Sequence, residues 1–165
     1  MIRHAGLVAM RLDGLWRGAL IEGPSGAGKS DLALRCLDAD FRLVADDRTL
    51  VWNSAGQLFG RAPDALAGLI EARGHGVLGE PALPLAQIVV VVTCVADPSE
   101  IDRLPESRIE TLCGAILPRI LLAAREPSAP AKLRRAMQHL GAAPQQAYQA
   151  ASRGGGGRAG TGMTP

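Results

Sequence analysis

Short apolar runs, broken by glycines and polar pairs, set the pattern of the first sixty residues. Leu7–Leu12 and Ala19–Ile21 are strand-length and bounded by polar or glycine residues. A glycine-rich turn at Gly23–Gly28 separates them from Ser30–Leu37, where Leu32, Ala33, Leu34 and Leu37 predict a helix. Phe41–Val44 reads as a strand that ends at Asp46-Asp47. Thr49–Trp52 and Gln57–Phe59 flank Asn53-Ser54-Ala55-Gly56 and predict a β-hairpin. Arg61-Ala62-Pro63-Asp64 breaks the pattern, and Leu69-Ile70-Glu71 leads into the glycine-spaced Arg73-Gly74-His75-Gly76.

The second half is simpler. Ile88–Val95 holds four consecutive valines, as expected of a strand buried on both faces. Ile116–Leu122 is the next strand, with Pro118 marking an irregularity near its start. Lys132–Leu140 reads as a helix closed by Gly141. Past Ala143, Gln, Ala and Gly take over, with four glycines in a row at Gly154–Gly157. The expectation is an α/β domain over residues 1–142 and a disordered Gly/Ala-rich tail over 143–165.

Composition changes little in this picture. The chain has 165 residues, 47% hydrophobic and 21% charged, which suits one globular domain. Eighteen basic against sixteen acidic residues give a net charge of +2, so no general attraction to nucleic acid or anionic membrane is expected. Aromatics at 3% argue against a base-stacking surface. Cys36, Cys94 and Cys113 form no CxxC pair and are expected as small buried hydrophobes in a reducing compartment. The N-terminus lacks a signal-peptide run, and the longest apolar stretch is too short to span a bilayer. A soluble, cytoplasmic protein is expected.

The chemistry begins at Gly23-Pro24-Ser25-Gly26-Ala27-Gly28-Lys29-Ser30, which fits G-x-x-x-x-G-K-[ST] throughout. The glycines let the backbone turn its N–H groups inward, and with the next helix's N-terminus these cradle phosphate oxygens. Lys29 then reaches the β- and γ-phosphates and the Ser30 hydroxyl ligates Mg²⁺. A nucleoside triphosphate, ATP by default, is the expected ligand. The loop alone does not select a reaction.

Two acidic sites remain open on the residues alone. Asp46-Asp47 is either a turn between strands or the carboxylate pair that Mg²⁺–ATP chemistry needs, one near the metal and one accepting a hydroxyl proton. Glu71 with Arg73 is either a surface ion pair, worth little, or a magnesium ligand beside a phosphate-binding guanidinium. His139, among Lys132, Arg134 and Arg135, reads as a solvated face.

The order of these motifs resembles the catalytic domain of HPr kinase/phosphorylase, the bacterial enzyme acting on the phosphocarrier HPr. His4-Ala5-Gly6 precedes the loop. Lys29-Ser30-Asp31-Leu32-Ala33-Leu34 follows it, then Leu43-Val44-Ala45-Asp46-Asp47. The family signature falls at Ile70-Glu71-Ala72-Arg73-Gly74-His75-Gly76-Val77, with Ala62-Pro63 upstream. The resemblance spans about residues 4–79 and continues more weakly to 138.

The resemblance implies a mixed sheet with flanking helices, in a P-loop kinase domain of the phosphoenolpyruvate carboxykinase-like type. It implies Asp47 as proton acceptor for a seryl hydroxyl attacking ATP, and as donor in phosphate-dependent dephosphorylation. Ser30 and Glu71 would hold Mg²⁺, His4 and Lys29 would contact the reacting phosphates, and Arg103 matches a catalytic arginine. It also implies an HPr-like protein partner and a homo-oligomer, hexameric in the family.

Departures are visible too. Typical members carry a further N-terminal domain, so this chain resembles a short form. His75 stands where an apolar residue is usual. The family's proline-arginine-glycine loop, expected near Ala124–Pro130, is poorly matched there, so kinase activity has better support than phosphorylase activity. Two other readings stay open: a P-loop kinase of a small molecule, and a nucleotide-sensing module without transfer.

Overall fold

The computed structural model describes residues 1–140, so Gly141 and the 143–165 tail lie outside the described residues. The strands are β1 (Ile2–Arg3), β2 (Gly6–Leu12), β3 (Leu15–Glu22), β4 (Arg42–Ala45), β5 (Thr49–Ser54) and β6 (Gln57–Arg61). They continue as β7 (Leu69–Ala72), β8 (Gly76–Gly79), β9 (Ala86–Val95), β10 (Arg108–Leu112) and β11 (Ala115–Ala123). The helices are α1 (Lys29–Leu37) and α2 (Ala129–Gln138), with 3-10 turns at Asp64–Leu66 and Pro98–Glu100.

Nine strands form one mixed sheet in the order β1-β5-β6-β9-β3-β2-β4, and β7-β8 form a separate hairpin. β9 is the axis. One edge runs parallel to β3; the other pairs with β6 at its start and with β11, in parallel, from Val91 to Val95. This double pairing makes β9 an interior strand, and apolar layers on both faces leave Val90, Val91 and Val92 fully buried, as the valine run leads one to expect. β10 closes on β11 as an antiparallel hairpin.

Two apolar layers cover the faces of the sheet. Both helices lie on one face, where Leu32, Cys36, Leu133 and Met137 pack on Val8, Ile21, Val90 and Val92. On the other face the sheet curls over itself, so that Val51, Leu58, Leu112 and Leu117 cover Leu7, Leu20 and Val91. Helices therefore flank the sheet on a single side. α2 starts three residues earlier than its apolar pattern suggests, because Pro130 sits in the first turn, where its missing N–H costs nothing.

Candidate active site

Gly23 leaves the end of β3 with φ 145°, and a Cβ there would lie 2.8 Å from the Cys94 carbonyl oxygen of β9. The loop therefore turns directly against its neighbouring strand, which no other residue permits. Gly26 and Gly28, at φ 77° and 94°, complete the curl into α1. The Ala27 N–H donates to Pro24 O at 3.2 Å and the Leu32 N–H to Gly28 O at 2.8 Å. The N-terminus of α1 thus opens into the loop, with its unpaired N–H groups and partial positive charge. Lys29 folds over it, donating to Gly23 O at 3.0 Å and Pro24 O at 3.1 Å.

The acidic pair divides its work by position. Asp46 follows β4 and is only 6% exposed. Its Oδ1 accepts from Ser30 Oγ at 2.9 Å, and its Oδ2 accepts from the Glu71 backbone N–H at 2.9 Å. Asp47 sits at the apex of a tight turn, with φ 62° and the Arg48 N–H reaching back to Asp46 O at 2.7 Å. Such strain is tolerated by aspartate better than by most residues and is common at functional sites. It presents the Asp47 carboxylate, half exposed, to His4 Nδ1 at 3.2 Å. Arg48 Nε is 3.9 Å from its other oxygen.

The residue before His4 is anchored by charge. Arg3 Nε donates to Glu22 Oε1 at 2.6 Å and its Nη2 faces Glu110 at 3.7 Å, while Arg119 meets Glu110 at 3.2 Å. This chain of charges ties the segment carrying His4 to the strand that feeds the loop. The third wall is the β7-β8 hairpin. Ile70 and Ala72 face inward, which leaves the Glu71 side chain and the Arg73-Gly74-His75 turn at the site. The His75 N–H closes the turn on Ala72 O at 2.8 Å.

These pieces enclose one cavity of about 690 Å³. His4, Ser25, Gly26, Gly28, Lys29, Ser30, Asp47 and Glu71 line it, so most of the expected site residues converge. Arg73 and His75 join them. Arg103 does not: it lies on the segment between the Pro98–Glu100 turn and β10, outside the lining. The arginines that line the cavity are Arg73 and Arg125. Sequence reasoning met Arg125, two residues past β11, only within the poorly matched Ala124–Pro130 run and gave it no role of its own. The signal was available once β11 is taken as a parallel neighbour of β9, since such sheets bind ligands beyond their strands' carboxyl ends. It also missed the tie from Asp46 to both Ser30 and Glu71.

The donors fit a hard cation. Ser30 offers a hydroxyl and Glu71 a carboxylate, both on the cavity wall, with Asp46 bonded behind Ser30. Among the described residues no cluster of three or more His, Cys, Asp and Glu could hold a metal alone, so such an ion would also need oxygens from its ligand. No helix among the described residues is long and apolar enough to cross a membrane.

A mixed α/β domain, with a G-x-x-x-x-G-K-S loop that shares one cavity with the exposed Asp47 and is tied through Ser30 to the buried Asp46, is the class that fold and site define. The chain belongs to the HPr Serine kinase C-terminal domain family, whose model matches residues 4–122. It is 42% identical over 66 residues to HPr kinase/phosphorylase of Clostridium tetani, covering 40% of this chain and 22% of that protein. To the enzyme of the same name from Limosilactobacillus reuteri it is 37% identical over 115 residues, covering 62% of this chain and 36% of that one. The chain thus spans about a fifth to a third of the length of these relatives. The fold matches the structure of the Hpr(Ser) kinase/phosphatase from Coxiella burnetii with a TM-score of 0.72 at 22% identity, covering 95% of this chain and 99% of that one.

Proposed function

We propose that this chain is an ATP- and Mg²⁺-dependent protein kinase that phosphorylates a serine of HPr or a close relative. One observation carries the reading: a single cavity unites a phosphate-binding loop with an exposed aspartate facing a histidine and with Glu71. In this reading residues 1–142 are the catalytic unit, a P-loop kinase domain of the phosphoenolpyruvate carboxykinase-like type.

The loop N–H groups and the α1 N-terminus bind the β- and γ-phosphates. Lys29 exchanges its two carbonyl partners for phosphate oxygens. Ser30 and Glu71 would hold Mg²⁺, which when bound neutralises charge on the phosphates. Asp47 accepts the seryl proton, and His4 orients its carboxylate. Catalysis is then mostly positioning and electrostatics. The reading includes a cytoplasmic setting and a homo-oligomer, hexameric on the family pattern, in which a neighbouring subunit completes the surface for a protein substrate.

The test is to incubate the chain with Mg-ATP and HPr from the same organism and map the modified residue by mass spectrometry. Phosphoserine is expected, and its loss on adding inorganic phosphate without ATP would add phosphorylase activity. Asp47→Asn is expected to abolish transfer while ATP still binds; retained transfer would remove Asp47 as the base. Lys29→Ala is expected to weaken ATP binding by about tenfold or more, the scale of a charge-assisted bond. Unchanged affinity by calorimetry would contradict the role of Lys29.

A further inference from the structure

We propose that Arg125 binds the phosphates on the leaving-group side of the transfer, a role that rests on the kinase reading above. Three observations place it there. Arg125 lines the cavity with Lys29 and Ser30. Its Nη2 donates to Gly26 O at 2.7 Å, and its Cγ lies 3.4 Å from where a Gly28 Cβ would stand. Its guanidinium thus lies along the glycines of the loop itself. Its ion pairing is also left open, because among the described residues no carboxylate is within ion-pair distance of it.

The position is built rather than incidental. Arg35 on α1 donates Nη1 to Glu126 O at 3.1 Å and Nη2 to Ala124 O, gripping the carbonyls on either side of Arg125. Arg35 is itself fixed through Nε to Asp31 Oδ2 at 2.9 Å, one turn earlier on the helix that starts at the loop. Lys132 pairs with Glu126 on the far side. A short segment between β11 and α2 is thereby clamped to the phosphate-binding helix, with one arginine pointing back at the loop.

Topology then decides which phosphates it meets. Across the sheet the strands run β4, β2, β3, β9, β11. The loop follows β3, Asp47 follows β4 on one flank, and Arg125 follows β11 on the other. In-line transfer puts the acceptor and the leaving group on opposite sides of the moving phosphoryl group. The seryl oxygen forms its bond to the γ-phosphorus and its proton goes to Asp47. The bond to the β,γ-bridging oxygen breaks, and its electron pair stays on the departing diphosphate. With Asp47 on the acceptor flank, Arg125 meets the diphosphate, where a planar fork of donors suits growing charge on phosphate oxygens.

Calorimetric titration with Mg-ADP and with inorganic pyrophosphate plus Mg²⁺ tests this on the unsubstituted chain, Arg125→Gln and Arg125→Lys. The Gln side chain keeps a donor for Gly26 O and loses the charge; Lys keeps the charge. Arg125→Gln is expected to weaken both ligands by about tenfold, the scale of one charge-assisted hydrogen bond. Arg125→Lys is expected to recover part of that loss, with melting temperatures unchanged. Three results would overturn the proposal. Arg125→Gln could bind both ligands normally. It could lose ADP but not pyrophosphate, which puts Arg125 on the nucleoside. Or Gln and Lys could be equally impaired, which makes Arg125 a structural pin. No Mg-ADP binding by the unsubstituted chain would remove the kinase reading, and this one with it.

Discussion

Asp46 is a joint made of one side chain. Each of its carboxylate oxygens takes one donor, Ser30 Oγ from the loop helix and the Glu71 N–H from the β7-β8 hairpin. Hydrogen bonds to a charged group contribute about 1.5–3 kcal/mol each, and a buried donor left without its acceptor is costly. Asp46→Ala is therefore expected to lower stability by about 2–4 kcal/mol in urea unfolding. Asp46→Asn should fall between, because its amide oxygen still accepts one bond. Equal stability of Ala and native chains would mean that the hairpin is held by its apolar face alone. The thiols make a second residue-scale case. Cys36 and Cys94 are buried as expected, but Cys113 is exposed, at φ 49° in the turn of the β10-β11 hairpin. Burial pushes the Cys36 thiol up to about 12 and the Cys94 thiol to about 11. At pH 8 a thiol reagent should label Cys113 quickly and the other two only on unfolding. The sign of the linkage follows. Well below pH 9, the ordinary thiol value, the thiols are protonated in both states and the effect vanishes. Above it the unfolded thiols ionise first, so stability falls by up to about 1.4 kcal/mol per pH unit for each buried thiol. Urea midpoints in reductant should drop between pH 8.5 and 10.5, and drop less in a Cys36→Ala, Cys94→Ala double variant; the same drop in both would put its origin elsewhere.

At the scale of elements, the loop depends on how closely β3 and β9 approach. Glu22 pairs with Thr93 in the parallel ladder, so Gly23 leaves the sheet against Cys94. Gly23→Ala would set a methyl against a backbone oxygen at a φ that alanine resists. A loss of about 1–3 kcal/mol is expected from the clash, together with loss of ATP binding. A variant that binds ATP normally would show that the loop can back away from β9. The same elements show what the sequence made legible. The loop, α1, the valine strand and the β5-β6 hairpin all carry strong local signals and lie where those signals put them. β1, the β7-β8 pairing and β10 were not legible. They are only two to five residues long, too short for a periodic pattern, and they exist because a neighbour supplies the other half of the ladder. The Asp13-Gly14 turn between β2 and β3, at φ 50° and 78°, was a hairpin signal available and unused. Cys113-Gly114 has the same backbone shape with no such signature.

The whole molecule explains which site residues could be foreseen. The loop, Asp46-Asp47 and Glu71 all sit within fifty residues of one another and in motifs whose types state their chemistry. Arg125 sits a hundred residues from Gly26, and only the parallel docking of β11 on β9 brings it back. The two apolar layers meet across β3 and β9, which give alternate residues to each. Leu20 points into the layer under the curled hairpins, while Ile21 meets α1. Leu20→Ala and Leu32→Ala remove fully buried side chains from opposite faces of the sheet. Each should cost about 2–5 kcal/mol. For a chain of this size that is a fall of roughly 5–15 °C in melting temperature. If the sheet couples the layers, each variant should show one sharper or broader but single transition by calorimetry, displaced by a similar amount whichever face is cut. Two resolved transitions, with only one displaced in each variant, would mean that the curled hairpins unfold independently of the helical face. The cavity would then be built across two units rather than on one.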